Sequence, residues 1–127
     1  EPVPSSDACL VRCIFESLAL KYRLVLGRLK VLSGKNIERL HVIGGGSLNA
    51  ELNRMIASSL ALPVIAGPAE ATTAGNLMAQ FVGLGLASSM AGMRGALASD
   101  ASLRRFEPEN TEAWDAAYSR FQEILAQ

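Results

Sequence analysis

The sequence lacks a charge excess of either sign: its 127 residues hold twelve Lys and Arg against twelve Asp and Glu. That balance, with no local basic cluster, argues against nucleic acid or an anionic membrane surface as a partner. Aromatic residues are scarce at 6%, while half of the chain is apolar. Such a composition, rich in Ala, Leu and Gly, suits closely packed helices and is too apolar for a disordered chain. Cysteine is limited to Cys9 and Cys13, four apart in a helical pattern. This spacing fits a disulfide poorly, and no third thiol or nearby histidine completes a metal site, so both are expected to be small buried hydrophobes in a reducing cytoplasm. No secretory pattern is visible, and the nearly uncharged stretch from Leu77 to Met93 is broken by Gln80, Ser88, Ser89 and glycines, so no membrane span is expected. The opening "EPVPSS" begins with Glu1 and reads as a linker over residues 1–5, cut from something larger.

What is present begins with helix. Ser5, Ser6 and Asp7 supply a cap and early negative charge. Val11, Ile14, Phe15, Leu18, Tyr22, Val25, Leu29 and Leu32 then recur at helical spacing up to a stop at Gly34. Further apolar residues widen this stripe, so the helix expects partners on more than one side. Leu40 to Ile43 reads as a buried strand, Leu48 to Leu60 as a helix and Pro63 to Ala66 as a second strand. Together they make a compact parallel βαβ unit, which normally belongs to a larger sheet. Gly67-Pro68 opens a further helix with Pro68 in its first turn and Glu70 at its positive end. A break near Gly83-Leu84-Gly85 starts another. Leu103 to Pro108 reads as an extended connector, and Thr111 caps a last helix with a stripe of Trp114, Tyr118, Phe121 and Leu125.

The chemistry concentrates at "HVIGGGSLN", residues 41–49, where three glycines stand between a strand and a helix. Such a turn can bring a phosphate or nucleotide against bare backbone amides, or can simply allow a tight bend. It has neither the Lys-Ser/Thr of a P-loop nor the spaced third glycine of a dinucleotide fingerprint. The second strand, ending "VIAG", offers no acidic residue for a ribose. Ser47 is outside a G-x-S-x-G elbow, and the lone histidine, His41, reads as a satisfied core residue within the strand. Glu70 suits a structural bond to backbone amides better than the part of a general base, and Asp7 and Asp100 have capping or solvated explanations. The residues themselves therefore point to a nucleotide-binding half of an α/β protein without visible catalytic machinery.

Three segments, "DACLVRCIFESLALKYRLVL" (7–26), "LHVIGGGSLNAELN" (40–53) and "PVIAGPAEATTAGN" (63–76), closely resemble the C-terminal region of the FGGY carbohydrate kinases, in the actin-like ATPase superfamily. The resemblance weakens through the tail, where "RFEPEN" still matches. It implies an α/β fold, the C-terminal part of an actin-like ATPase (ribonuclease H-like) domain, helix-rich with a short parallel βαβ unit, filling residues 1–127. It implies transfer of the ATP γ-phosphoryl group, with Mg2+ bridging phosphates, to a ketose sugar. L-rhamnulose, at its 1-hydroxyl, is foremost, and ribulose, xylulose and fuculose are the alternatives. Gly44, Gly45, Gly46 and Ser47 match the family's adenosine motif and Asn49 a polar position near the adenine. Glu70, Thr72, Gly75 and Asn76 match the segment that supports this turn from beside it. The catalytic aspartate, the sugar subsite and the missing N-terminal kinase domain lie upstream, so this chain alone is expected to be inactive and prone to self-association. A noncatalytic nucleotide-binding or interaction module is the competing reading.

Overall fold

The computed structural model describes residues 3–98 and 103–126. Helix α1 (Asp7–Ser33) begins where the Ser6 hydroxyl accepts the Cys9 amide at 3.3 Å and ends at left-handed Gly34, whose amide donates to the Lys30 carbonyl. Strand β1 (Leu40–Val42) leads through a 3-10 turn (Gly45–Leu48) into α2 (Ala50–Leu60), and β2 (Val64–Ala66) follows. Two further helices, α3 (Ala71–Gly83) and α4 (Met90–Ala98), precede β3 (Arg104–Phe106) and the final helix α5 (Thr111–Leu125).

The sheet order is β1-β2-β3, with β1 and β2 parallel and β2 and β3 antiparallel. The expected βαβ unit is therefore present, but the presumed connector supplies a third strand and makes the sheet mixed. Strand β3 is short and carries two arginines, a pattern tolerated on an edge strand and hard to read as a strand in sequence.

Helix α2 lies at the centre, packed on β2 and β3 and also on α1 and α5. Ile56, Ala57, Val64, Ala66 and Phe106 close around Ala19 of α1, which is fully buried. Alanine at 19 and 57 lets the two helices approach, and the buried Ser59 hydroxyl donates to the Ala19 carbonyl at 3.1 Å. Arg23 of α1 reaches Asp115 at 2.6 Å and lies over the Tyr118 ring, fastening α5.

Some local expectations fail for identifiable reasons. The helices cover one face of the sheet, and alternation sends the row His41, Ile65, Arg105 to the other. His41 is consequently exposed rather than a core histidine. Cys9 and Cys13 are free but exposed, because α1 meets its neighbours through Ala19, Leu20 and Leu26 further along. Pro68 precedes α3 by three residues instead of sitting in its first turn. Asn110, in left-handed backbone, takes the cap position expected of Thr111, with no side-chain cap bond. On α5 Trp114 packs against the core, whereas Leu125 is exposed. Asp100 lies outside the described residues.

The wide stripe of α1 stays largely uncovered: Leu10, Val11, Ile14, Leu18, Tyr22, Val25 and Leu29 are each 41–51% exposed. A contiguous apolar face of this length calls for a cover. The isolated chain is expected to self-associate through it, with light scattering showing mass that grows with concentration. A monomer persisting at high concentration would remove this expectation.

Candidate functional site

Parallel strands β1 and β2 end side by side, and each runs directly into the approach to a helix. In open α/β sheets this C-terminal strand edge is where ligands collect. The two approaches are stitched together: the Gly67 amide donates to the Val42 carbonyl at 2.8 Å, and the Gly44 amide donates to the Pro68 carbonyl at 3.2 Å.

The three glycines differ in what the fold asks of them. Gly44 has φ +78°, in the range that favours glycine, and its position demands that residue. Gly45 and Gly46 lie in the 3-10 turn without positive φ. A Cβ on Gly45 would meet nothing within 4 Å, and one on Gly46 only Val42 Cγ1 at an ordinary 3.7 Å. Both are exposed, and among the described residues no acceptor takes their amides. The chain's own packing thus explains the first glycine and leaves the next two unexplained.

The opposite polarity of the turn is held inside the protein. Asn53, fully buried on α2, donates through Nδ2 to the carbonyls of Gly46 (3.2 Å), Ser47 (3.3 Å) and Asn49 (2.9 Å). Arg104 of β3 donates through Nη2 to the same Ser47 carbonyl at 2.6 Å. With these carbonyls engaged from within, the turn offers amides to an outside ligand.

Ser47 is 1% exposed and donates its hydroxyl to the Gly44 carbonyl at 2.8 Å, a brace for the turn rather than a nucleophile. Asn49 is half-buried and caps α2, its Oδ1 accepting the Leu52 amide at 3.0 Å. That commits the oxygen and leaves the side-chain Nδ2 of Asn49 without a partner among the described residues, while its backbone amide donates to the Gly46 carbonyl.

The second segment meets the turn through its beginning only. The Ala69 carbonyl lies 4.0 Å from where a Gly44 Cβ would stand. Glu70, Thr72, Gly75 and Asn76 make no hydrogen bond to the turn among the described residues. Glu70 makes no cap bond to backbone amides, contrary to expectation; its carboxylate accepts the Thr73 hydroxyl at 3.4 Å. Thr72 and Asn76 are exposed, and Gly75 is half-buried on α3.

Sequence reasoning missed Asn53 and Arg104. An amide residue among the inward positions of an amphipathic helix was the available signal for Asn53. Nothing local marks Arg104, because its role depends on β3 pairing with β2. Among the described residues no group of three His, Cys, Asp or Glu side chains could hold a metal ion. No helix among them is long and apolar enough to cross a membrane.

The C-terminal domain of the FGGY family of carbohydrate kinases matches residues 2–84, and the chain belongs to that family. Its relatives include the rhamnulokinase of Bacteroides thetaiotaomicron, 50% identical over 125 residues that make up 98% of this chain and 26% of that protein. The rhamnulokinase of Pectobacterium atrosepticum is 44% identical over 98% of this chain and 25% of its own length. That of Yersinia pestis is 38% identical over 97% and 25%. The chain therefore spans about a quarter of the length of the curated relatives it matches. The three segments that carried the family resemblance all fall inside the matched domain.

Removing the Asn53 side-chain donors takes three hydrogen bonds from the turn at once and leaves the Gly46 carbonyl to the Asn49 backbone amide, the Asn49 carbonyl to the Asn53 backbone amide and the Ser47 carbonyl to Arg104. Asn53→Ala is expected to lower unfolding stability by about 2 kcal/mol in a urea titration, the summed loss of those bonds. A change below roughly 0.5 kcal/mol would show that the turn is held by other means.

Proposed function

We propose that this chain supplies the adenosine side of the ATP site in a sugar kinase that phosphorylates L-rhamnulose to L-rhamnulose 1-phosphate. The observation that carries the reading is the pair Gly45 and Gly46, bare and exposed although the fold gives no reason for glycine at either place. A flat ring system laid along that backbone supplies the reason, since any side chain would hold it off. The supporting family is one of carbohydrate kinases, and the relatives bear the name rhamnulokinase.

The residues present fit the nucleotide part of such a reaction. Gly45 and Gly46 offer open amides, the uncommitted nitrogen of Asn49 is a donor at the rim, and Ser47 braces the turn. Glu70, at the entry to the neighbouring α3, and Thr72, Gly75 and Asn76 along it shape the wall instead of bonding to the turn. Phosphoryl transfer relies on positioning and charge neutralisation more than on covalent help, so a rigid backbone platform is a meaningful contribution. Mg2+ would neutralise phosphate charge in the complete kinase, and among the described residues no group of three His, Cys, Asp or Glu side chains could hold it. The general base and the sugar subsite belong, in this reading, to the remaining three quarters of a longer polypeptide, with this chain as the last part of its actin-like nucleotide domain. The uncovered stripe of α1 then packs against that remainder. A cytoplasmic setting, where ATP is abundant and thiols such as Cys9 and Cys13 stay reduced, accords with it.

In a complete kinase containing this chain, Gly45→Val is expected to weaken ATP-Mg binding at least about tenfold by calorimetry, because the branched side chain occupies the ring's place. Unchanged affinity would remove the site assignment. The purified 127-residue chain should release no ADP in response to sugar. Robust sugar-dependent turnover by it would overturn the division of labour described above.

A further inference from the structure

We propose that Arg104 is a positioning residue for nucleotide binding: from a strand outside the matched kinase domain, it locks the glycine turn in the form that leaves Gly45 and Gly46 bare. The inference rests on the nucleotide reading given above.

The need for a second clamp follows from counting donors. One Asn53 amide nitrogen carries two hydrogens but faces three carbonyls, and that of Ser47 is the most distant at 3.3 Å. Arg104 supplies the missing donor to that same oxygen, and at 2.6 Å it makes the closer contact. A guanidinium donor makes a stronger bond than a neutral amide. Without it the middle carbonyl of the turn keeps only a marginal share of Asn53, and rotation of that peptide would disturb the amides on either side.

The aim of Arg104 is fixed by the strand beneath it. Its register partner is Ala66, while Phe106, two residues on and on the same face, pairs with Val64 and is buried. The guanidinium lies over the Phe106 ring at 5.8 Å. Arg105 turns to the other face and pairs with Glu107, so the two neighbouring arginines have separate tasks. Gly67, just after β2, packs closely on the end of β1, since a Cβ there would meet Ile43 Cγ2 at 3.3 Å, while Leu103 ahead of β3 would stand at an ordinary 3.8 Å. The kinase domain match ends at residue 84, so this clamp is contributed by the tail that follows it.

The test has two arms. In this chain, Arg104→Gln should speed hydrogen exchange at the Ser47 and Asn49 amides about tenfold while leaving the amides of α5 unchanged. In a complete kinase containing this chain, Arg104→Gln should raise KM for ATP about tenfold with kcat and the sugar KM nearly unchanged. Arg104→Lys, which keeps one donor, should recover part of the loss. Uniform acceleration of exchange across the chain would reduce Arg104 to a fold residue and overturn the proposal, as would faster exchange at the turn without any change in KM for ATP. Gly45→Val separates the two layers: if it weakens ATP binding while Arg104→Gln does not, the clamp is wrong and the nucleotide reading stands. If neither variant affects ATP, both fall.

Discussion

The structure turns on one side-chain amide. The Asn53 nitrogen binds the carbonyls of Gly46, Ser47 and Asn49, joining the 3-10 turn and the start of α2 through a single buried group. Such a group is stabilising only while its partners stay in place, because a buried donor without an acceptor is costly. The packing of α2 against Ala19, Val64 and Phe106 keeps Asn53 where it must be, and the buried Ser47 closes the turn from the other side. The core thus serves the site as well as stability: it fixes which polar groups of the turn face inward and which remain available.

How far this could be read in the sequence depends on the range of the forces involved. Helix α1 was legible because its cap, stripe and stop are all local: Ser6, the apolar repeat and Gly34 each act within one or two turns. The βαβ unit was legible for a similar reason, since apolar runs at residues 40–43 and 63–66 flank a well-patterned helix. Strand β3 was not, because two arginines in three residues carry no strand pattern until an edge is available to accept them. The exposure of Cys9, Cys13 and His41 also escaped, since each depends on which surface a neighbour happens to cover.

The candidate site was partly legible in the same sense. The glycine run announced a close approach of backbone, and the geometry refined that into one conformational glycine, Gly44, and two that leave surface open. The inward half of the site, Asn53 and Arg104, was silent because hydrogen bonds to carbonyls leave no motif. For Glu70, Thr72, Gly75 and Asn76 the resemblance to the family supplied positions. The loop preceding them, through Gly67, Pro68 and Ala69, makes the actual contact with the turn.

The bond from Arg104 to Ser47 spans 57 positions of the chain. During synthesis from the N-terminus, the glycine run, α2 and β2 emerge well before the strand that completes the turn's support. A nascent or truncated chain ending near residue 84 would therefore display the whole recognisable motif, yet hold its middle carbonyl by the shared amide alone. The motif and the organised surface are separate events in the life of this polypeptide, and the second waits for the tail.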